Sequence, residues 1–345
     1  MKAEELFKIT REIYNNCADE LSKVLYMDKI LYAASGDERY IHKLVEDSMP
    51  DFAHNLNKIG TDDKVIIYGA GDNMEIAVSI CKDRGIPIAY ICDRNAEKQG
   101  TLYKETPIIS PEVLVSEHPN ATILISTTTY LEEVRHFLAK YFPQEKIIPF
   151  ADEKQMYNIK MQYFDEVLPL EDGEVFVDGG CFDFETSRIL LDKCKVKKIY
   201  AFEPDKENQE KVSHKVNELG LSNVKIIPAG MWNCSTTLHF CSQGSILSRV
   251  AEDGEDEIKV VAVDEVIDEK VTFIKMDIEG SELNALHGAA ETIKRYKPKL
   301  AICIYHKLED IIEIPQYIHS LVPEYKFYVR HYSFSAAETV LYAII

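Results

Sequence analysis

Over residues 1–60 apolar side chains recur three and four positions apart: Leu6, Ile9 and Ile13, then Leu21, Val24 and Leu25, then Tyr40, Leu44 and Val45. That spacing places them on one face of successive helices. No reactive constellation falls in this stretch, so docking is its expected role, and homo-oligomer formation through it stays open. From Lys64 the pattern changes. Val65-Ile66-Ile67-Tyr68, Ile88-Ala89-Tyr90-Ile91, Thr122-Ile123-Leu124-Ile125 and Lys146-Ile147-Ile148-Pro149 are short apolar runs, with helical stretches ending near Arg84 and Tyr141 between them. Such alternation predicts a parallel sheet with helices on both faces. Residues 61–150 are therefore expected to form a small Rossmann-like domain, about half the size of a full dinucleotide-binding one.

Residues 151–172 are polar and read as a connector. Over 173–345 short apolar runs return: Val175-Phe176-Val177, Lys198 to Phe202, Val224 to Ile227, Val271 to Lys275, and Leu300 to Ile304. Helices fit between most of them. Two later runs, Lys326 to Arg330 and Thr339 to Ile344, leave no room for a helix and should pair antiparallel. The predicted fold class is thus α/β: two Rossmann-like domains behind N-terminal helices. The second has a mostly parallel sheet with an antiparallel terminal hairpin, the architecture of a class I methyltransferase sheet.

Candidate chemistry gathers where strands end. Asp178-Gly179-Gly180-Cys181-Phe182-Asp183 follows the first strand of the second domain. Glycine lets backbone approach a ligand closely, and the helix behind it offers free N–H groups. Phe202-Glu203-Pro204-Asp205 ends the next strand, where an acid can accept ribose hydroxyls. These two features alone give a nucleoside site rather than a reaction, and a turn glycine with a helix-capping acid is the plainer alternative. Lys275-Met276-Asp277-Ile278-Glu279-Gly280-Ser281-Glu282 follows the fourth strand. Asp277 and Glu279 can hold an amino group, position a hydroxyl or bind a metal, although no metal is assigned; capping by Ser281 and Glu282 is the alternative. Tyr305-His306-Lys307 ends the fifth strand, and His306 can act as a general base or merely orient its loop. His331 is a weaker candidate, and His239, His287 and His319 read as structural. In the first domain, Gly69-Ala70-Gly71 and Asp93 keep part of a dinucleotide fingerprint, with Met74 in the third glycine's place. They form a second, weaker candidate nucleotide site, against which stands a degenerate domain used for assembly.

Charge narrows the partners. The chain carries a net charge of -19 and no long Lys/Arg cluster, which disfavours nucleic acid and anionic membrane surfaces. No run is long enough to span a bilayer and no secretory core opens the chain, so a cytoplasmic location is expected. The eight cysteines are scattered without a C-x-x-C pair. Cys81, Cys92, Cys181, Cys194 and Cys303 sit in or beside apolar stretches and are expected to be buried, reduced thiols.

Val177 to Asp183, Phe202-Glu203-Pro204, Ala229-Gly230-Met231-Trp232, Lys275 to Glu282 and Tyr305-His306-Lys307 occur in the order and spacing of the FkbM-type methyltransferases, which the chain resembles from Phe176 to Ile345. The stretch Asp277-Ile278-Glu279-Gly280-Ser281-Glu282 carries most of that resemblance. It implies S-adenosyl-L-methionine as donor and methyl transfer to oxygen, often a hydroxyl of a sugar, a glycan or a nucleotide-linked sugar. It also implies that Asp178, Gly179 and Gly180 line the methionine part, that Phe202 and Glu203 serve the ribose, and that Ala229, Gly230 and Met231 read the adenine edge. Asp277 and Glu279 then stand as active-site acids. Phe184 departs from the pattern: the family often has Gly there, and a bulky side chain is expected to narrow the loop. Two other classes remain beside this one. One is an NAD-dependent oxidoreductase using the first glycine motif, although no catalytic Tyr-Lys pair stands beside Gly69. The other is a nucleotide- or nucleotide-sugar-binding protein that keeps the fold without methyl transfer.

Overall fold

The computed structural model describes residues 3–60, 63–151, 158–241, 249–250 and 256–345. The chain divides into two units. The larger comprises Met1–Ser35, Met161–His331 and Ala336–Ile345; the smaller comprises Gly36–Lys160 and Tyr332–Ser335.

The smaller unit is built on β1 (Val65–Tyr68), β2 (Ile88–Cys92), β3 (Leu102–Tyr103), β4 (Thr106–Ile109), β5 (Thr122–Ile125) and β6 (Ile147–Pro149). Their order in the sheet is β3-β4-β2-β1-β5-β6. All pairings are parallel except the β3–β4 hairpin. β1 and β5 are buried along their whole length, as continuous apolar strands covered on both faces must be. β3 and β4 escaped the sequence pattern because one is two residues long and the other contains Pro107, which demotes an apolar run.

The larger unit holds a seven-stranded sheet of β7 (Glu174–Gly179), β8 (Val196–Phe202), β9 (Val224–Ile227), β14 (Phe273–Met276), β15 (Lys299–Cys303), β16 (Lys326–His331) and β17 (Thr339–Ile344). Their order is β16-β17-β15-β14-β7-β8-β9. The first five pair in parallel, and β17 runs antiparallel to both β15 and β16, as the short connection predicts. A second sheet of β10 (Gly230–Met231), β11 (Thr236–Cys241), β12 (Arg249–Val250) and β13 (Asp256–Val261) inserts between β9 and β14. No strand was expected there. β13 alternates Glu257, Lys259 with Ile258, Val260 and buries only the apolar pair, so its signal was alternation rather than an apolar run.

The helices over residues 1–60 do form, but not as one segment. Ala3–Asn16 and Glu20–Ser35 belong to the larger unit, and Arg39–Ser48 and Pro50–Leu56 to the smaller. Polar anchors explain the first pair: Asn16 Nδ2 donates to the Tyr325 carbonyl at 2.7 Å, and Ser22 Oγ accepts from the Val329 amide at 3.0 Å. Of the expected connector, residues 152–157 lie outside the described residues, and Met161 onward is part of the larger unit. Cys17, Cys81, Cys92, Cys181 and Cys303 are buried free thiols, and Cys194 is half-buried. Among the described residues no helix is long and apolar enough to cross a membrane.

Candidate active site

The chain reverses its direction of travel across the large sheet between β7 and β14, and the loops after these strands meet. Gly180 has φ +73, and a Cβ there would stand 2.0 Å from the Asp277 carbonyl oxygen. Only glycine satisfies both conditions. A Cβ on Gly179 would stand 2.5 Å from Met231 Sδ. Behind the loop lies Lys275, whose side chain is 2% exposed. Its Nζ donates to the carbonyls of Gly179 (3.0 Å) and Gly180 (2.8 Å) and pairs with Asp178 Oδ1 at 3.3 Å. Asp178 Oδ2 accepts from Ser187 Oγ at 2.6 Å. Burial would lower the Lys275 pKa, but Asp178 and Asp277 outweigh it and hold it up at about 12. The loop is thus fixed from inside by a buried cation.

Glu203, at the end of β8, accepts from the amides of Phe182 (3.0 Å) and Asp205 (3.0 Å). Burial pushes its carboxyl up to about 7 despite those bonds. Asp205 instead caps the helix Lys206–Glu218, accepting from the Glu207 and Asn208 amides. Between these groups lies a cavity of about 270 Å³. Of the residues singled out in the sequence, Gly180, Phe202, Glu203, Gly230, Met231, Asp277 and Glu279 line it. Asp178, Gly179, Ala229 and His306 are not among the lining residues; Asp178 and Gly179 hold Lys275, and His306 stands beside Asp277 and Glu279. Lys275 and Tyr305, named in the sequence only as motif members without a role, also line it, as do Tyr163, Ile258, Val260 and Glu338, which the sequence did not single out.

The far end of the cavity is acidic. Tyr163 Oη donates to Asp277 Oδ2 at 2.7 Å. The Tyr305 hydroxyl lies 3.2 Å from Asp277 Oδ1 and 3.3 Å from Glu338 Oε1, and its one proton serves a single acceptor at a time. Gln162 Nε2 donates to Glu338 Oε2 at 2.6 Å. His306, with its side chain 9% exposed, stands between carboxylates: Nδ1 is 3.0 Å from Glu282 Oε1, and Nε2 is 3.5 Å from both Asp277 Oδ1 and Glu279 Oε2. Burial alone would lower the His306 pKa, but the Glu282 hydrogen bond and the charges of Glu282, Asp277 and Glu279 raise it to about 9. At neutral pH it is an imidazolium, so it cannot accept a proton as a base. Burial raises Glu279 to about 7, against the pull of His306. Asp277 goes the other way: Lys275, the Tyr163 hydrogen bond and His306 overcome burial and keep it ionised. Atoms of Asp277, Glu282 and His306 lie within 4.8 Å of one another, a spacing that can hold a metal ion. The imidazole turns Nδ1 toward Glu282 and Nε2 toward Asp277 and Glu279.

Two expectations are corrected. His331 is buried in the β16–β17 pairing, with Nδ1 2.9 Å from Thr339 Oγ1, and does not reach the cavity. Phe184 does not narrow the loop: it is fully buried and is not among the lining residues. Its backbone is left-handed at φ 70, which is why glycine suits the position. In the smaller unit, Gly69, Gly71 and Asp93 do come together on one cavity.

Counted from β7 in chain order, the large sheet runs 3-2-1-4-5-7-6, with a glycine loop at the switch point and an acid ending the second strand. This is a class I methyltransferase fold. Residues 178–328 match the family profile of the methyltransferase FkbM domain, and residues 61–148 match that of the C2185-like N-terminal domain. The larger unit carries an FkbM-type methyltransferase domain, and S-adenosyl-L-methionine is its methyl donor. The crystal structure of methyltransferase FkbM from Methylobacillus flagellatus KT is similar at 20% identity, over 94% of this chain and 99% of that one, with a TM-score of 0.52. At that identity the likeness establishes the fold. An rRNA methylase from Streptococcus thermophilus (17% identity, 56% of this chain, 95% of that one, TM-score 0.36) is too distant to add to it. So is fibrillarin from Aeropyrum pernix with bound S-adenosyl-L-methionine (13%, 55% and 74%, TM-score 0.35). No curated protein matches the chain.

Proposed function

We propose that the chain methylates a hydroxyl of a neutral sugar or glycan-type acceptor, with Glu279 taking the hydroxyl proton. The observation that carries this reading is the imidazolium of His306 set 3.5 Å from both Asp277 and Glu279. It holds two carboxylates side by side at the cavity, while burial keeps one of them, Glu279, near neutrality in pKa against the pull of His306.

The residues suit the donor. Gly180 presents backbone with no side chain, and Glu203 places a carboxylate at the end of β8 for a ribose diol. When bound, S-adenosylmethionine supplies an electrophilic methyl group. The work left to the protein is alignment and removal of one proton. The donor would give up its methyl group with the electron pair of the S–C bond left on sulfur, and Glu279 would take the proton that the hydroxyl loses as its oxygen gains the methyl group. Asp277, kept ionised, and Tyr305 and Glu338 beside it offer hydrogen bonds to neighbouring hydroxyls. Glu279 itself sits on left-handed backbone at φ 54, a local strain of ~1–3 kcal/mol that fixes where the carboxylate points. The acids at this end repel phosphates and carboxylates, which favours a neutral polyol over an anionic acceptor.

The test is methyl transfer from labelled S-adenosylmethionine to a panel of neutral mono- and oligosaccharides and their nucleotide-linked forms. Label is expected on a sugar oxygen. The Glu279→Gln variant is expected to bind S-adenosylhomocysteine as the wild type does while its turnover falls by ~10²–10⁴. Label on nitrogen or carbon, or full turnover by that variant, would defeat the reading.

A further inference from the structure

The smaller unit contains a cavity of about 710 Å³ that methyl transfer does not use. Its position follows from topology. β2 and β4 lie on one side of β1, β5 and β6 on the other. The helix Asp72–Asp83 leaves β1 toward β2, and the helix Leu131–Leu138 leaves β5 toward β6. Right-handed crossovers in opposite directions put these helices on opposite faces of the sheet. The loops after β1 and β5 therefore part, and open α/β sheets take their ligands in that crevice. The volume falls within the ~300–1,000 Å³ of small-molecule sites.

Three observations narrow the ligand. Asp93, just beyond β2, accepts from the Ala70 amide at 2.6 Å and the Asn95 amide at 2.7 Å. This repeats the bonds that tie Glu203 to Phe182 and Asp205 in the donor crevice. An acid ending the second strand, held by the first glycine loop, is suited to a ribose. Next, two cations border the cavity. Lys98 Nζ donates to the Ala70 carbonyl at 2.6 Å, and Arg94, paired with Glu133, donates from Nε to the Tyr68 hydroxyl at 3.2 Å. Thr127 and Thr128 add hydroxyls from the opposite loop. Lastly, Gly71 has φ -98, which any residue adopts, and a Cβ there would meet no protein atom within 4 Å. Neither backbone nor packing requires glycine at the mouth of the crevice. What a side chain would obstruct is the approach of a ligand to the start of the helix.

We propose that this crevice binds a nucleoside diphosphate, its ribose toward Asp93 and its phosphates toward Arg94, Lys98 and the loop at Gly71. The test is calorimetric titration of the full chain with ADP, GDP, UDP and CDP, with inorganic phosphate and free nucleosides as controls. Saturating S-adenosylhomocysteine keeps the donor crevice filled. At least one diphosphate is expected to bind about tenfold or more tightly than its nucleoside or phosphate alone. Gly71→Leu and Arg94→Ala are each expected to weaken it about tenfold or more while S-adenosylhomocysteine affinity stays at the wild-type value. Silence with all four diphosphates, equal affinity for phosphate alone, or undiminished binding by Gly71→Leu would overturn the proposal.

Discussion

The chain bends a glycine loop over the end of a first strand twice, and the two loops differ in how tightly the protein packs their outer glycine. After β7, the loop is immobilised by protein: Gly180 packs against the Asp277 backbone, and Lys275 grips two of its carbonyls from a fully buried position. After β1, Lys98 holds the Ala70 carbonyl, Ser126 Oγ donates to the Gly69 carbonyl at 2.7 Å and Asp93 accepts from the Ala70 amide, but Gly71 faces open space. The first crevice is preorganised, which suits a reaction that depends on alignment. The second leaves its glycine to whatever enters.

The sharpest way to break this contrast is to add one methyl group to each loop. Gly180→Ala drives a Cβ into the Asp277 carbonyl on left-handed backbone, and displacement of the loop is expected to weaken S-adenosylhomocysteine binding by about 10²-fold or more. Gly71→Ala is expected to leave both that affinity and the melting temperature unchanged. Equal effects at the two glycines would erase the distinction.

Removing the cations comes next. Lys275→Met leaves Asp178 charged, buried and unpaired, and should cost about 3–5 kcal/mol in denaturant unfolding of the larger unit. Lys98→Met removes one hydrogen bond to a carbonyl and should cost about 0.5–1.5 kcal/mol.

Phe184→Gly probes strain against packing in the fixed loop. Relief of left-handed backbone returns about 1–2 kcal/mol, whereas loss of a fully buried ring removes about 3–5. A net loss of about 2 kcal/mol is expected. A more stable glycine variant would show that the ring contributes little.

The subtlest probe is pH. Turnover should fall as pH drops through about 7, where Glu279 takes up a proton. It should fall again as pH rises through about 9, where His306 gives one up and its grip on the carboxylates weakens. Stability follows the same histidine. Its folded pKa lies above the unfolded value near 6.5, so its contribution is complete below that pH and is lost on the way to about 9. His306→Gln should flatten that part of the melting-temperature profile.

Most strands and both crevices were legible because buried parallel strands are continuous apolar runs and glycines mark their ends. Asp277, Glu279, Glu203 and Gly180 stand on the cavity where strand ends place them. What sequence concealed has physical causes. Tyr163 lies in a stretch that reads as linker, and its left-handed backbone (φ 74) has no composition cue. Glu338 lies between two hairpin strands, far along the chain from Asp277, so only the fold joins them. Lys275 sits in an apolar strand, where a lone lysine looks like surface until its carbonyl partners are seen. The second sheet hid because β13 alternates instead of running apolar.

The larger unit draws on segments far apart in the chain: Asn16 bonds to Tyr325 across 309 positions. As these residues leave the ribosome, the helices Ala3–Asn16 and Glu20–Ser35 emerge with their apolar faces bare and must wait for β16 to cover them. The parallel strands of the smaller unit are all made in the interval, so it can collapse first. Such a delay makes the early helices natural chaperone clients, and slowing translation upstream of β16 should lengthen their exposure.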